Sequence, residues 1–225
     1  MKIFAISDIH GHIDELNEAL KLIDLDDTDT TLVFLGDYIN GHDSYAVLDR
    51  VMDLQARYGT GKVITLMGNH EWEVLEGFNT IDDADDILQE GKDPEPYIKW
   101  IKSLKMYYKV GNRVFCHAGV CEEEGDDWEI WTQEDTYTGK YPHTLGRFCM
   151  DIIAGHIGTS TISGDPGFHG IFYDGKSHYY IDGSVGVSGV IPVLMADTET
   201  GKYYEITKEK KKLVKSYNKR KRAGQ

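Results

Sequence analysis

An α/β fold in one domain is what the sequence predicts, and three features of its patterning support that class. Apolar runs alternate with amphipathic helical segments in the first half, as in a sheet of parallel strands with crossover helices. Five of the apolar runs end at polar residues of the kinds that bind metal ions. The second half is rich in short strands separated by glycine turns, which indicates a second sheet of mostly antiparallel strands. A length of 225 residues suffices for one such domain with a substantial core.

The first half is predicted to run strand, helix, strand, helix, strand. Each strand is an apolar run, and the three cover residues 2–7, 31–35 and 62–67. The first helix is predicted from four apolar residues that recur at helical spacing, namely Leu16, Ala19, Leu20 and Ile23. Residues 45–58 show the same spacing and predict the second helix.

Residues 78–105 interrupt this alternation and predict a helical insertion over the site. The acidic residues of the insertion lack the spacing and the glycine of a calcium loop, so we interpret them as a solvated helical face. The remaining strands are predicted at residues 113–116, 152–154, 170–173, 178–181, 191–196 and 202–206. The domain is therefore expected to cover residues 1–207, and the basic residues 208–225 are expected to form a solvated helix end or a disordered tail.

Polar side chains that can bind a metal ion follow five of the predicted strands. They occur in the segments Asp8-Ile9-His10-Gly11, Gly36-Asp37, Gly68-Asn69-His70-Glu71, His117-Ala118-Gly119 and Gly155-His156. Because the carboxyl ends of strands in an open α/β sheet meet at one crevice, we expect these side chains to converge. Mixed carboxylate, imidazole and amide donors suit Mn²⁺, Fe or Zn²⁺, and they exclude a structural zinc site made of thiolates. The sequence thus predicts a divalent metal centre.

Composition and charge argue against a membrane protein and a nucleic-acid-binding protein, and they favour a reducing compartment. No apolar stretch approaches the ~20 residues that a membrane span needs. A net charge of −14 argues against binding to a nucleic acid backbone, although residues 208–225 are basic. The three cysteines, Cys116, Cys121 and Cys149, are sparse and lack metal-type spacing, which indicates reduced thiols. Since the first strand starts directly after Met1 and leaves no room for a leader, the expected location is the cytoplasm.

The ordered set of motifs resembles the calcineurin-like metallophosphoesterases, and the resemblance extends from Lys2 to about Ile206. Within that superfamily it is most similar to bacterial and phage members of the phosphoprotein phosphatase (Ser/Thr phosphatase) branch. Glu71 completes the GNHE motif of that branch, and Gly158 stands where many other members have the second histidine of a GHxH motif. The resemblance implies a four-layer α/β/β/α sandwich of two mixed sheets flanked by helices.

The resemblance also implies a pair of divalent ions, with Mn²⁺ expected and Fe or Zn²⁺ as alternatives. Asp8 and His10 would hold the first ion, and Asp37 would bridge both. The ligands implied for the second ion are Asn69, His117 and His156. His70 would then act as the general acid that protonates the leaving group.

Two departures from the family pattern bear on catalysis and on phosphate binding. In the family, an aspartate of a GDxVDRG motif orients the catalytic histidine, and here Asn40 takes that position. A carboxamide can orient His70 but does not stabilise its charged form as a carboxylate would, so we expect the pKa of His70 to be raised less. Gly41 replaces the next arginine, and Gln133 stands where a second family arginine is expected.

Three explanations for the missing arginines remain open. Other cations could bind the phosphate, with Arg147 as the first candidate and His42 as the second. Alternatively, the substrate is a diester or a nucleotide polyphosphate that is bound through other groups. In the third explanation, the chain binds metals and a ligand with little turnover.

The function predicted from these features is that of a two-metal phosphoesterase that hydrolyses a phosphomonoester by attack of a metal-bridging hydroxide. Phosphoserine or phosphothreonine in a protein is the favoured substrate. The alternatives are a dinucleoside polyphosphate hydrolase or phosphodiesterase and, from another class, a metal-binding interaction protein with little turnover. The expected partner is a phosphorylated protein or small molecule, and the oligomeric state is left open.

Overall fold

Two mixed β-sheets packed face to face form the centre of the structure, a computed structural model that describes residues 1–81 and 92–217. The strands are β1 (Lys2–Ile6), β2 (Thr30–Phe34), β3 (Val63–Thr65), β4 (Tyr107–Val110), β5 (Arg113–Cys116), β6 (Asp151–Ala154), β7 (Phe172–Tyr173), β8 (His178–Tyr180), β9 (Val193–Asp197), β10 (Tyr203–Ile206) and β11 (Lys211–Leu213). The α-helices are α1 (Ile13–Leu20), α2 (Ser44–Tyr58), α3 (Asn69–Glu76), α4 (Glu95–Ile101), α5 (Trp128–Trp131), α6 (Glu134–Gly139), α7 (Thr159–Ser163) and α8 (Val185–Ser188). A 3₁₀ segment covers Glu122–Asp127.

The first sheet has the strand order β11-β10-β9-β1-β2-β3. β1, β2 and β3 run parallel, which confirms the alternation of strand and helix predicted for the first half. The connections between these strands contain α1 and α2, whose buried residues cover one side of the sheet. β9, β10 and β11 add an antiparallel half beside β1.

The second sheet has the strand order β4-β5-β6-β8-β7. Its three central strands β5, β6 and β8 run parallel, and the two edge strands are antiparallel to their neighbours. The expectation that β9 and β10 belong to this sheet is wrong, because both pair in the first sheet. β9 suits that central position because both of its faces are apolar: Leu194 contacts the core between the sheets, and Val193 and Met195 contact the helices.

Alternation along β1 shows how the layers are built. Ile3 and Ala5 contribute to the core between the two sheets, whereas Phe4 and Ile6 contribute to the core beneath α1 and α2. Successive strand residues point to opposite faces, so a strand that is apolar at every position is buried between two layers.

A third core covers the outer face of the second sheet. Ile152 and Ala154 of β6 pack there with Trp128 and Tyr137, and Ile153 points the other way into the core between the sheets. The order of layers is therefore helices, sheet, sheet, helices, and the predicted fold class is confirmed. Among the helices that the structure describes, none is long and apolar enough to cross a membrane.

The C-terminal residues depart from the expected tail. Lys211–Leu213 form β11 and pair with β10 at the edge of the first sheet. The N–H of Tyr217 then donates to the carbonyl of Tyr173 at 2.8 Å, which ties the chain to the second sheet. Strand pairing at a sheet edge uses backbone N–H and C=O groups, which a chain rich in lysine also has. The basic side chains alone therefore did not indicate this strand.

The predicted helical insertion is seen only in part. α4 lies within residues 78–105 and packs Ile101 against the core beneath α2. The acidic residues interpreted as a solvated helical face, apart from Asp93 and Glu95, lie outside the described residues.

Candidate metal centre

The side chains predicted as ligands lie just beyond the carboxyl ends of five parallel strands. Asp8 follows β1, Asp37 follows β2 and His117 follows β5 directly. Asn69 begins α3 after β3, and His156 follows β6. Parallel strands place these ends on one rim across the two sheets, as the strand pattern predicted.

The carboxylate of Asp37 lies at the centre of the cluster. Its Oδ2 is 3.4 Å from Nε2 of His117, 3.6 Å from Nε2 of His10 and 3.8 Å from Nε2 of His70. One carboxylate therefore faces three imidazole nitrogens at once, which is the placement that a bridging ligand requires.

The amide oxygen of Asn69 joins two further imidazoles. Its Oδ1 is 3.1 Å from Nε2 of His117 and 3.0 Å from Nδ1 of His156. Asp37, His117 and His156 also form one of two groups whose possible ligand atoms all lie within 4.8 Å of one another. The four residues expected around the second ion are thus brought together.

The group around the first expected ion differs from the sequence expectation in one member. The second close group of possible ligand atoms consists of His10, Asp37 and His70, and Asp8 is not part of it. Asp8 Oδ1 is 4.0 Å from Nε2 of His10, and both carboxylate oxygens of Asp8 lie 3.1 Å from the backbone N–H of His156. Asp8 therefore links the β1 and β6 loops besides facing the cluster.

Two of the imidazoles are held by backbone carbonyls on their outer nitrogen. Nδ1 of His10 is 3.1 Å from the carbonyl of Ile39, and Nδ1 of His117 is 3.1 Å from the carbonyl of Leu35. In a neutral ring, an Nδ1–H that donates to a carbonyl leaves the lone pair on Nε2, the nitrogen that can bind a metal ion. The Nε2 atoms of both rings lie on the side of Asp37. This arrangement is the usual support for metal-binding histidines, so the residues present fit a divalent ion.

The backbone of the rim is strained at these positions. In the described part of the chain, six non-glycine residues have a positive φ: Asp8, His10, Asp37, Asn40, His156 and Ser184. Such a conformation is uncommon outside glycine and persists only where the surroundings enforce it. The strained residues coincide with the candidate metal centre or adjoin it.

Glu71 fixes the loop that carries Asp37. Its buried carboxylate accepts the backbone N–H groups of Asp37 and Tyr38, both at 2.8 Å, and those of Ile39 at 3.3 Å and Gly68 at 3.1 Å. Glu71 lies in the first turn of α3, and these contacts join the start of that helix to the loop after β2. Burial and the nearby Asp37 raise the pKa of Glu71 to about 7.

The close approach of loops leaves no room for side chains at two glycines. A Cβ on Gly68 would lie 2.1 Å from Oδ1 of Asp37, and a Cβ on Gly155 would lie 2.1 Å from Oδ2 of Asp8. The glycine in each motif is therefore required for the carboxylate to reach the site.

The electrostatics show a site that attracts positive charge. Burial opposes ionisation of Asp37, but His117 and His10 outweigh that effect and hold the pKa of Asp37 well below its ordinary value. Burial lowers the pKa of His117, yet Asp37 and then Asp8 raise it to about 9. Burial also lowers the pKa of His156 to about 4. A proton on His117 thus takes the place that a cation would occupy between the carboxylates.

The surroundings of His70 differ from the expectation. Among the described residues, the carboxamide of Asn40 makes no hydrogen bond to His70, although the sequence predicted that it orients this ring. Nδ1 of His70 instead lies 3.5 Å from Nδ2 of Asn79 and 3.8 Å from Oε2 of Glu73. Burial lowers the pKa of His70, and Asp37 only partly offsets this. Asn40 itself has a positive φ of 71° in the turn after Asp37, and its role as the partner of His70 stays a prediction.

Arg147 precedes β6, so its main chain lies near the start of the parallel strands β6 and β8. The N–H of its neighbour Phe148 donates to Oγ of Ser177 at 3.0 Å, just before β8 begins. His156 follows the end of β6, which runs parallel to β8. A strand of 4 residues spans about 13 Å, so the main chain of Arg147 lies about one strand length from the rim, and its role as a phosphate contact stays a prediction.

The other two candidate substrate contacts, His42 and Gln133, are both exposed. His42 is exposed and follows Gly41, whose backbone packs against the carbonyl of His10. Gln133 is exposed at the start of α6, which contacts α3, and its Nε2 is 3.5 Å from the carbonyl of Trp131. Both residues stay predictions as substrate contacts.

Sequence reasoning gave no role to three residues that the structure brings to the site. Asp182 follows β8 on the same rim, is buried, and has its pKa raised to about 7 by burial and by Asp8. The position of Asp182 at the end of a predicted strand was a signal that could have found it. Glu73 lies one helical turn after His70 on α3, and this spacing was a signal that could have found it. Asn79 carried no such signal, because the turn of chain after α3 brings it to His70.

The comparisons with known proteins agree with this site. A model of the calcineurin-like phosphoesterase family matches residues 1–184. Two curated relatives are each named a symmetrical bis(5′-nucleosyl)-tetraphosphatase. The protein from Nitrosospira multiformis is 31% identical over 126 residues, which are 53% of this chain and 44% of the relative. The protein from Chromobacterium violaceum is 32% identical over 158 residues, which are 65% of this chain and 55% of the relative. The chain thus spans about half the length of these relatives.

A solved structure agrees in fold. The chain is similar to the cold-active protein-tyrosine phosphatase of a psychrophilic Shewanella species, with a TM-score of 0.67 and 20% identity. The superposition covers 95% of this chain and 80% of that chain. At this identity, the likeness shows the architecture and leaves the substrate open.

Proposed function

This chain belongs to the calcineurin-like phosphoesterase family, and on that premise we propose that it is a metal-dependent hydrolase of phosphoric esters and anhydrides. The observation that carries the proposal is the position of Asp37 between two groups of imidazoles. Its Oδ2 lies near His10 and His70, which belong to one close group of possible ligand atoms, and near His117, which belongs to the other. Such a shared carboxylate is what a two-metal site needs.

The proposed ligands follow the geometry of the rim. Asp8, His10 and Asp37 would hold one ion, and Asp37, Asn69, His117 and His156 would hold the other. Three imidazoles with carboxylate and amide oxygens suit borderline divalent ions, and we expect Mn²⁺, with Fe or Zn²⁺ as alternatives. When bound, such ions supply Lewis acidity toward phosphate oxygens and a deprotonated water near neutral pH.

The residues of the chain would position the reactants and move one proton. The oxygen of a water molecule forms a bond to phosphorus and the water loses a proton to solvent, while the bond from phosphorus to the leaving oxygen breaks. The leaving oxygen keeps the electron pair and receives a proton from Nε2 of His70, the nitrogen that faces Asp37. His70 is therefore the proposed general acid.

We propose a dinucleoside tetraphosphate as the substrate class, in place of the phosphoprotein favoured by the sequence. Both curated relatives described above carry the name of a symmetrical bis(5′-nucleosyl)-tetraphosphatase. The missing arginines also fit, because Gly41 and Gln133 offer no guanidinium to neutralise a phosphomonoester. The cytoplasm, as the location of such a substrate, remains a prediction.

The test is a product analysis with the purified full chain loaded with Mn²⁺. Diadenosine tetraphosphate, p-nitrophenyl phosphate, bis-p-nitrophenyl phosphate and a phosphoserine peptide are supplied in parallel, and nucleotide products are separated by chromatography. We expect symmetrical cleavage of the tetraphosphate to ADP, and a higher kcat/KM for it than for the other three substrates.

Asp37→Asn and Asp53→Asn form a matched pair of controls. Both variants remove one carboxylate charge, but Asp53 lies on the exposed face of α2 and Asp37 lies in the cluster. Activity should be lost only in Asp37→Asn. A higher kcat/KM for the phosphoserine peptide would contradict the proposed substrate and favour a protein phosphatase. Inactivity of the metal-loaded chain on all four compounds would favour a metal-binding protein without turnover.

A further inference from the structure

The outer nitrogen of His70 faces two residues that have no assigned role. We infer that Glu73 and Asn79 form a positioning pair that orients His70 for proton donation, a role that rests on the function proposed above. Oε2 of Glu73 is 3.8 Å from Nδ1 of His70, and Nδ2 of Asn79 is 3.5 Å from the same nitrogen. The two partners also contact each other, since Nδ2 of Asn79 donates to Oε2 of Glu73 at 3.4 Å.

Helical spacing places Glu73 beside His70. The two residues are three positions apart on α3, so their side chains share one face of the helix. Glu73 carries a negative charge, whereas the carboxamide of Asn40 is neutral. A carboxylate stabilises an imidazolium more strongly than a carboxamide does, so Glu73 can favour the protonated form of His70.

The end of α3 places Asn79. Gly77 adopts a left-handed conformation with φ 77°, which ends the helix and reverses the chain. The N–H groups of Phe78 and Asn79 then donate to the carbonyl of Glu73, at 2.8 and 3.2 Å. Asn79 Oδ1 also accepts the N–H of Thr80 at 2.8 Å. The amide group of Asn79 is therefore held against both His70 and Glu73.

The chemistry of proton donation requires such a partner. An imidazolium carries an N–H on both nitrogens, and the proton that leaves is the one on Nε2, toward the leaving oxygen. The Nδ1–H stays on the ring and needs an acceptor, and Glu73 is the carboxylate nearest to it in the described structure. After donation the neutral ring keeps its Nδ1–H toward Glu73. The amide N–H of Asn79 donates to Oε2 of Glu73 and makes no hydrogen bond to the protonated Nδ1, so Asn79 acts by holding the carboxylate in place.

The test measures how the rate depends on the leaving group. Aryl esters of a nucleoside 5′-phosphate are prepared with phenols of graded acidity, because a poor leaving group needs the general acid and p-nitrophenolate does not. In Glu73→Gln we expect kcat for the poorest leaving group to fall about tenfold, a part of the roughly 10²–10⁴-fold that a complete general acid supplies. The p-nitrophenyl ester should be hydrolysed at the wild-type rate. Asn79→Ala should show a smaller loss with the same dependence.

Glu76→Gln is the matched control, since Glu76 lies on the same helix and is exposed. It should behave as wild type with every ester. Metal content per chain should be equal in all variants, which separates a positioning effect from loss of the ions.

A second readout does not need turnover. In the Zn²⁺-loaded protein with ¹⁵N-labelled histidine, Glu73→Gln should shift the Nδ1 resonance of His70, and Glu76→Gln should leave it in place. If wild type hydrolyses no substrate, the proposed function fails while this measurement still tests the pair. A loss in Asn40→Ala that depends on the leaving group, with none in Glu73→Gln, would overturn the inference, as would an unmoved Nδ1 resonance.

Discussion

The carboxylate of Glu71 accepts the backbone N–H of Asp37 at 2.8 Å, across 34 positions of sequence. A residue of α3 thereby fixes the loop that presents the central carboxylate of the site. The same carboxylate takes three further N–H groups, so nearly the whole turn after β2 depends on one side chain.

Replacing Glu71 by alanine should therefore destabilise the fold. Four buried backbone donors would lose their acceptor, and each unsatisfied group costs roughly 1–3 kcal/mol before water enters. We expect the free energy of unfolding of the metal-free chain in urea to fall by about 3 kcal/mol or more. Glu76→Ala is the control, and equal stability of the two variants would contradict this role.

Gly155→Ala should weaken metal binding through Asp8. The new Cβ would lie 2.1 Å from Oδ2 of Asp8, so the carboxylate or the loop must move. Mn²⁺ titration should show weaker binding of one of two ions. At Gly61 an added Cβ has no heavy atom within 4 Å, so Gly61→Ala should bind as wild type, and unchanged affinity in Gly155→Ala would remove Asp8 from the ligand set.

His70→Asn separates an acid from a ligand. Nε2 of His70 lies close enough to Asp37 to join a metal group, yet the proposed role is proton donation. We expect two ions per chain by elemental analysis and a fall in kcat of roughly 10²–10⁴-fold for a poor leaving group. Loss of one ion in this variant would make His70 a ligand instead.

Metal affinity should rise with pH up to the pKa of His117. Asp37 and Asp8 outweigh burial and raise this pKa to about 9, so the metal-free site is protonated at neutral pH. A metal ion must displace that proton, and the apparent affinity should increase about tenfold per pH unit below about pH 9 and then level off. Calorimetry at pH 6.5 to 8.5 in buffers of different ionisation enthalpy would count the protons released, and a pH-independent affinity would contradict the raised pKa.

The amino-acid pattern was enough to predict the fold class, the parallel first half and the strand ends at which possible ligands stand. This was possible because a strand and the residue after it are neighbours in the chain. An apolar run that ends at Asp8 or His117 therefore indicates the strand and the possible ligand together. The order of five such stretches also carried the family resemblance.

The packing of the folded chain was needed to learn which groups surround His70 and which sheet β9 joins. The reversal at Gly77 brings Asn79 back to His70 across 9 positions, and the pairing of β9 with β1 spans nearly the whole chain. Patterns of polarity show that a strand is buried, but they do not show against which neighbour, because hydrophobic burial is non-directional. The residues beside Nδ1 of His70, Glu73 and Asn79, were therefore found in the packed fold.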